Sequence, residues 1–222
     1  FLEGENIFPD LLENLGSPDK VKGLYVRKDG QVIFTGNGPT VDFSKLPRPA
    51  YELFDIKRYI SRAIGIGVES KRGCGLDCAY CPYPFLNGHS LRLKPPAEVV
   101  DNIEYLVSKY GISEFSFVDS VFNVPVDHSV KICREMVARK LKVNWACWSN
   151  EKFFTDDYAR LAIEAGCVAF PFSTDAFSDE SLKMLRKNYT NADIRRTVDI
   201  ASRVDNISVG YNFFLNPPSA TI

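Results

Sequence analysis

The chain carries 222 residues, 45% of them hydrophobic and 25% charged, with 27 Lys and Arg against 28 Asp and Glu. That length buries a substantial core, a formal charge of −1 excludes a broadly basic nucleic-acid surface, and no apolar run approaches the roughly 20 residues of a membrane span. Six cysteines are too sparse for a disulfide scaffold, and nothing at the start reads as a signal peptide.

The first 60 residues read as a lead-in. Residues 9–15 spell a short amphipathic helix, with Pro9 early and Gly16 as its stop. Residues 23–25 and 31–35 flank Asp29-Gly30, a two-residue hairpin signal. Residues 36–49, rich in Gly, Pro, Asn and Ser, read as an extended connector. After Ser61 the texture alternates. A strand is expected at 63–68, then a loop with three cysteines, then a helix at 95–110 opened by Pro95 and followed by Gly111. A strand at 114–118 leads to a helix at 127–140 with Asp127 as N-cap. A strand at 143–148 leads to a helix at 155–165, set between Thr155 and Gly166. A strand at 167–172, a helix from Ser178, a helix at 191–204 and a strand at 207–214 complete the series. The chain opens at Phe1 without methionine and closes at Ile222 in an expected loop, so it reads as a piece of a longer protein.

Strand-then-helix repetition with short connections implies right-handed crossovers and a parallel sheet. An open doubly wound sheet and a partial β/α barrel both fit. Polar groups collect after the strands: Cys74, Cys78 and Cys81 after the first, Asp119 after the second, Asn150 after the third, Ser173 and Asp175 after the fourth. That convergence favours the barrel, whose reactive groups gather at the C-terminal strand ends.

The cysteine loop is the most informative stretch. Cys74, Cys78 and Cys81 are spaced Cys-x3-Cys-x2-Cys directly after an apolar strand. Thiolates this close repel one another unless a metal binds them, and soft sulfur selects zinc, copper(I) or iron–sulfur clusters. A structural zinc site wants four ligands, usually in two pairs; there is no second pair, and His89 is the nearby candidate for a fourth. A ferredoxin-type electron carrier wants a fourth cysteine near the loop. A four-iron cluster held by three thiolates leaves one iron open for an outside ligand, which is a catalytic arrangement.

With aromatic Tyr80 just before the third cysteine, this loop resembles the signature of the radical S-adenosylmethionine superfamily. The resemblance extends over most of the chain. Residues 1–5 with Leu11-Leu12, then 24–27, 46–51 and 53–55, are similar to the linker that joins a cobalamin-binding domain to the radical domain. Asn87-Gly88-His89 through Arg92 is similar to the same branch. The resemblance implies an α/β fold: a partial parallel (β/α) barrel of the radical S-adenosylmethionine type over 61–222, truncated after about five strands. Residues 1–60 would be an N-terminal linker segment following an absent upstream cobalamin-binding domain.

Position by position, the resemblance implies that Cys74, Cys78 and Cys81 are the catalytic, metal-ligating residues of a [4Fe-4S] cluster. The open iron would take the amino and carboxylate groups of S-adenosylmethionine, and Tyr80 would lean on the adenine. Residues 117–120 occupy the place of the family's glycine-rich acidic motif, lacking its glycines but offering Asp119 and Ser120 as cofactor-binding residues. Ser173-Thr174-Asp175 matches a position whose polar side chains meet the ribose or carboxylate, which adds Ser173 and Asp175. Residues 215–221 resemble an adenine-contacting segment but depart from it at Asn216, Ser219 and Ala220.

The implied chemistry is reductive cleavage of S-adenosylmethionine to a 5′-deoxyadenosyl radical, followed by cobalamin-dependent methyl transfer to an unreactive carbon. The implied partners are a small-molecule or peptide substrate and an electron donor such as flavodoxin or ferredoxin, in the cytoplasm, with neither membrane nor nucleic acid. The rival readings are a methylthiotransferase-like enzyme modifying RNA or protein, and a non-enzymatic, zinc-stabilised binding module. Structural roles compete at several positions. Asp119 also suits a turn, and Ser173 and Asp175 also suit the cap of the helix near Ser178. Cys133, Cys147 and Cys167 read as small buried hydrophobes, and one of Trp145 and Trp148 as core. His128 reads as a surface residue, and Lys183, Arg186, Lys187, Arg195 and Arg196 as a solvated basic face. Asn123 and Arg92 are lesser site candidates.

Overall fold

A computed structural model describes residues 3–62, 65–205 and 207–219. Phe1, Leu2, Ala63, Ile64, Ala220, Thr221 and Ile222, which figure in the expectations above, lie outside the described residues. The lead-in holds a helix α1 (Ile7–Glu13) and a hairpin of β1 (Tyr25–Lys28) and β2 (Gln31–Phe34). Asp29 and Gly30 turn that hairpin with φ of 51° and 80°, the left-handed pair that a tight two-residue connection demands. A helix α2 (Ile56–Ser61) follows, its first turn capped by the Asp55 carboxylate on the Arg58 amide at 3.1 Å.

Beyond it come β3 (Gly67–Val68), β4 (Lys71–Arg72), α3 (Tyr83–Asn87), β5 (Arg92–Leu93), α4 (Pro96–Tyr110) and β6 (Glu114–Phe117). The series continues with α5 (Val126–Ala138), β7 (Asn144–Cys147), α6 (Asp156–Glu164), β8 (Cys167–Asp175), α7 (Asp179–Met184), α8 (Asn191–Ala201) and β9 (Ser208–Phe213). The main sheet runs β3-β6-β7-β8-β9 with every pair parallel. Each strand lies beside the next one along the chain, with no reversal of order. A doubly wound sheet requires such a reversal, so the sheet is a partial barrel wall. β4 and β5 form a separate antiparallel pair around the cysteine loop.

Strand alternation sets which face is dry. Phe115, Phe117, Trp145, Cys147, Phe170 and Phe172 turn to the helix side and are at most 3% exposed. They interlock there, with Phe117 stacked on Phe122 at 4.1 Å and Phe154 edge-on to Phe170 at 4.9 Å. Each such side chain fully buried contributes about 1.5–3 kcal/mol. The Trp145 indole donates to the Ala165 carbonyl at 2.8 Å, so Trp145 is the core tryptophan. Ser116, Ala146 and Pro171 occupy the opposite face, where their small size leaves room.

The strand expected at 63–68 is formed at Gly67–Val68. The helix expected from Asp127 begins at Val126 behind Pro125, so Asp127 sits in the first turn and makes no capping bond; the proline occupies the position where a cap would stand. His128 is a correction: it is 5% exposed, and its Nε2 lies 3.3 Å from the Ser70 carbonyl. Burial pushes its pKa down to about 4, so it packs as a neutral ring. Arg92 also departs from expectation. Its guanidinium bonds Glu3 at 2.6 Å and the Val41 carbonyl at 2.9 Å, tying the lead-in to the barrel. Tyr51 and Ile56 bury into the barrel core from the lead-in side. Among the described residues, no helix is long and apolar enough to cross a membrane.

Candidate functional site

The cysteine loop is shaped by its glycine. Gly73 has φ of 90°, and a Cβ there would stand 2.2 Å from the Ser90 carbonyl oxygen, so no other residue fits. Its carbonyl accepts from Ser120 Oγ at 3.1 Å, and the Cys74 amide donates to the Gly88 carbonyl at 3.0 Å. The Cys81 amide donates to the Cys78 carbonyl at 3.2 Å, which closes a tight turn between the last two cysteines. The Ala79 amide reaches the Leu185 carbonyl at 3.0 Å. Loop and barrel are thereby joined at both ends.

Cys74, Cys78 and Cys81 are free thiols that line one cavity of about 510 Å³. Burial pushes the Cys78 thiol up; the Lys187 ammonium opposes this, while the neighbouring thiols of Cys81 and Cys74 add to it. Among the described residues, no three His, Cys, Asp or Glu side chains are gathered at ligating distance of one point. His89 is exposed and does not line the cavity, so the zinc reading loses its fourth ligand.

The strand ends supply the rest of the wall. Asp119, Ser120, Trp148, Asn150 and Ser173 all line the cavity. Asp119 is 3% exposed, and its oxygens accept from the Ser70 amide at 2.8 Å, the Ser70 hydroxyl and the Lys71 amide at 3.2 Å. Burial raises its pKa against the attraction of Lys71. The Lys71 ammonium is itself buried and donates to the carbonyls of Val121, Phe122 and Val124. Asp119 and Lys71 thus pin the end of β6 to the start of the cysteine loop. Ser173 is exposed, and its carbonyl accepts from Lys187 Nζ and Tyr189 Oη, each at 2.9 Å. Asn123 is fully buried, donating to the Asn150 carbonyl at 2.9 Å and accepting the Asn150 amide at 2.7 Å.

Asp175 does not line the cavity. Its carboxylate is taken by the Lys187 ammonium and the Tyr80 hydroxyl, and it stands at φ of 63° beside them. It does not cap the helix near Ser178, where the Ser178 hydroxyl does so itself. Tyr80 lines the cavity with its ring edge-on to Phe214 at 5.0 Å, and burial with the Asp175 hydrogen bond pushes its pKa up to about 12. Lys187 overturns the expectation of a solvated face: its side chain is 4% exposed, and its partners outweigh burial to hold its pKa up. Two further residues carry no motif signal, Lys187 and Glu151. Glu151 follows the third barrel strand, is 1% exposed and lines the cavity, with Thr174 Oγ1 donating to its Oε1 at 2.8 Å. The one available signal for it is its place directly after Asn150 at a strand end.

The sequence profile of the Radical SAM superfamily matches residues 68–217. An anaerobic magnesium-protoporphyrin IX monomethyl ester cyclase of Cereibacter sphaeroides is 26% identical over 217 residues, covering 91% of this chain and 35% of the relative. A tryptophan 2-C-methyltransferase of Streptomyces laurentii is 27% identical over 169 residues, covering 69% of this chain and 28% of that one. The chain therefore spans about a third of the length of the curated relatives it matches. Among solved structures, the radical S-adenosylmethionine methyltransferase TsrM from Kitasatospora setae, with cobalamin and a [4Fe-4S] cluster bound, superposes with a TM-score of 0.83. It is 22% identical and the match covers 98% of this chain and 47% of that chain, a likeness of fold that includes the lead-in.

Proposed function

The chain belongs to the radical S-adenosylmethionine superfamily, and on that premise we propose that it is the catalytic core of an enzyme that cleaves S-adenosylmethionine reductively at a [4Fe-4S] cluster. The observation that carries this reading is the meeting of Cys74, Cys78 and Cys81 with the strand-end residues Asp119, Ser120 and Ser173 around one cavity. The donor set fits the cluster: three free thiols on one tight loop, supplying soft sulfur. When bound, the cluster supplies the electron that splits the sulfur–C5′ bond and so starts hydrogen abstraction from an unreactive carbon.

The chain's own residues prepare that step. Gly73, Ser120 and the Asp119–Lys71 pair hold the loop at the mouth of the barrel. Tyr80 stands ready to lean on the adenine, and the hydroxyls of Ser120 and Ser173 offer polar contacts to the bound cofactor. The small inner-face residues Ser116, Ala146 and Pro171 leave the space that a substrate needs, while Val118 and Trp148 give it apolar walls that exclude water.

The finer reading is methyl transfer to carbon, with cobalamin held by a domain preceding the 1–60 linker in the whole protein. It is supported by the names of the matched methyltransferases and by the lead-in's share in the TsrM fold. A small-molecule substrate and an electron donor such as flavodoxin or ferredoxin complete the scheme. The six free cysteines suit the reducing cytoplasm.

Anaerobic reconstitution with iron and sulfide tests the core of this. A brown protein with absorbance at about 400 nm and about four irons per chain is expected, with 5′-deoxyadenosine formed on reduction with S-adenosylmethionine. Cys78→Ala removes both. A colourless wild-type chain that retains zinc overturns the reading.

A further inference from the structure

Among the described residues that line the cavity of the loop thiols, Lys187 is the one cation. Its side chain is dry, and its Nζ donates to the Tyr80 hydroxyl at 3.0 Å, to the Ser173 carbonyl at 2.9 Å and to the Asp175 carboxylate. Those three partners use every N–H of the ammonium, so the charge is fixed in place. Asp175 does not line the cavity. The ion pair is therefore a fixed dipole, with its positive end on the cavity wall and its negative end outside it.

The bond from the Ala79 amide to the Leu185 carbonyl sets this lysine beside the second cysteine of the loop. The charge of Lys187 acts on the Cys78 thiol more strongly than that of Asp175, so the dipole is felt there as positive. The two acids on the same wall offset it only in part: Lys71 balances Asp119, and burial holds Glu151 back from ionising. A positive charge in a dry site favours any state of that site that holds one more electron, because little solvent screens the attraction. Nearby charge is also one of the levers that set the potential of an iron–sulfur cluster. We propose that Lys187 is a positioning residue that acts through Cys78 to raise the reduction potential of the cluster, with Asp175 tempering the effect. The inference rests on the cluster reading. The step concerned is uptake of one electron from an external reductant, with no bond made or broken and no proton moved. It gives a role in the chemistry to two residues that touch neither the cluster sulfurs nor a substrate.

The test is a redox titration. The full chain is reconstituted anaerobically with iron and sulfide and titrated with dithionite and redox mediators, without S-adenosylmethionine, and the reduced cluster is counted by electron paramagnetic resonance. At the wild-type midpoint, Lys187→Met is expected to hold about tenfold less reduced than oxidised cluster, as loss of one nearby charge predicts. That is a downward shift of about 59 mV for one electron. Asp175→Asn is expected to move the balance the other way, towards reduced cluster. Opposite shifts from the two halves of one ion pair are what charge produces; a loosened fold moves both variants in the same direction. An unchanged midpoint in Lys187→Met, or a midpoint in Asp175→Asn that stays or falls, would overturn the assignment. If Lys187→Met fails to hold a cluster, the sign of the Asp175→Asn shift decides alone. A wild-type chain that takes up no cluster sinks the parent reading instead, and its absorbance shows this before the titration begins.

Discussion

The Leu185 carbonyl accepts the Ala79 amide at 3.0 Å, one residue past the second cysteine of the loop. The next two residues continue the clasp: Arg186 meets Asp77 at 3.3 Å, and Lys187 Nζ donates to the Tyr80 hydroxyl at 3.0 Å. The Arg186–Asp77 pair is exposed and worth little, whereas the Lys187–Asp175 pair behind Tyr80 is dry on both sides. Removing one member of such a pair strands the other. Lys187→Met should therefore lower unfolding stability by about 3–5 kcal/mol in urea titration, and adding Asp175→Leu should recover part of the loss. A single variant as stable as the wild type would show that the pair carries no weight in the clasp.

Gly73→Ala is expected to damage the loop without touching a cysteine. The added methyl would enter the Ser90 carbonyl at 2.2 Å in a backbone conformation that already disfavours a side chain. The β4–β5 ladder beneath is backbone and cannot step aside cheaply. A cost of about 1–3 kcal/mol follows, with reduced iron per chain after reconstitution. Gly75→Ala is the control: its nearest neighbour is the His89 carbonyl at 3.9 Å, an ordinary contact, so iron content should hold.

The parts of this site that sequence reasoning reaches are those written locally. Cysteine spacing, glycine stops and strand-then-helix alternation are short-range patterns, and the strand ends they mark do converge on one cavity. Lys187 is hidden because helical spacing beyond Lys183 places it on a solvated face. The helix instead ends at Met184, and Arg186 at φ of 54° swings the next side chain inward. His128 is hidden because its partner, the Ser70 carbonyl, is 58 residues away and belongs to a loop with no periodicity. Asp119 and Asp175 are legible as polar strand-end residues, but which partner claims each carboxylate depends on lysines that only the fold brings near.

Glu151 should leave a signature in the pH dependence of stability. Burial raises its pKa from 4.5 to about 7. Such a group holds its proton longer in the folded chain than in the unfolded one. Its stabilising share is complete below pH 4.5 and is lost as pH rises through about 7. Each tenfold gain in proton affinity on folding is worth about 1.4 kcal/mol, so the loss amounts to about 3 kcal/mol. His128 works the other way, losing stability as pH falls from 6.5 towards 4, so only the difference between wild type and Glu151→Gln isolates the carboxyl. That difference should decline by about 3 kcal/mol between pH 4.5 and about 7.5 in urea titrations. A flat difference would mean that Glu151 ionises as freely folded as unfolded.

The six cysteines should divide sharply under alkylation. Cys133, Cys147 and Cys167 are at most 2% exposed, packed on the helix side of the sheet. Burial pushes the Cys133 thiol up to about 12 and that of Cys167 well above its ordinary value, so neither offers the thiolate that attacks iodoacetamide. Cys78 and Cys81 are partly exposed and face the cavity mouth. Mass spectrometry of the cluster-free native chain should find label on Cys81 first and on Cys78 more slowly, because burial also pushes the Cys78 thiol up, while the three core thiols react at the rate of global unfolding. Reconstitution should then protect the loop cysteines and leave the core ones as slow as before. Equal protection of all six by iron and sulfide would place the metal in the core, and equal labelling without metal would mean that the sheet does not seal its helix side.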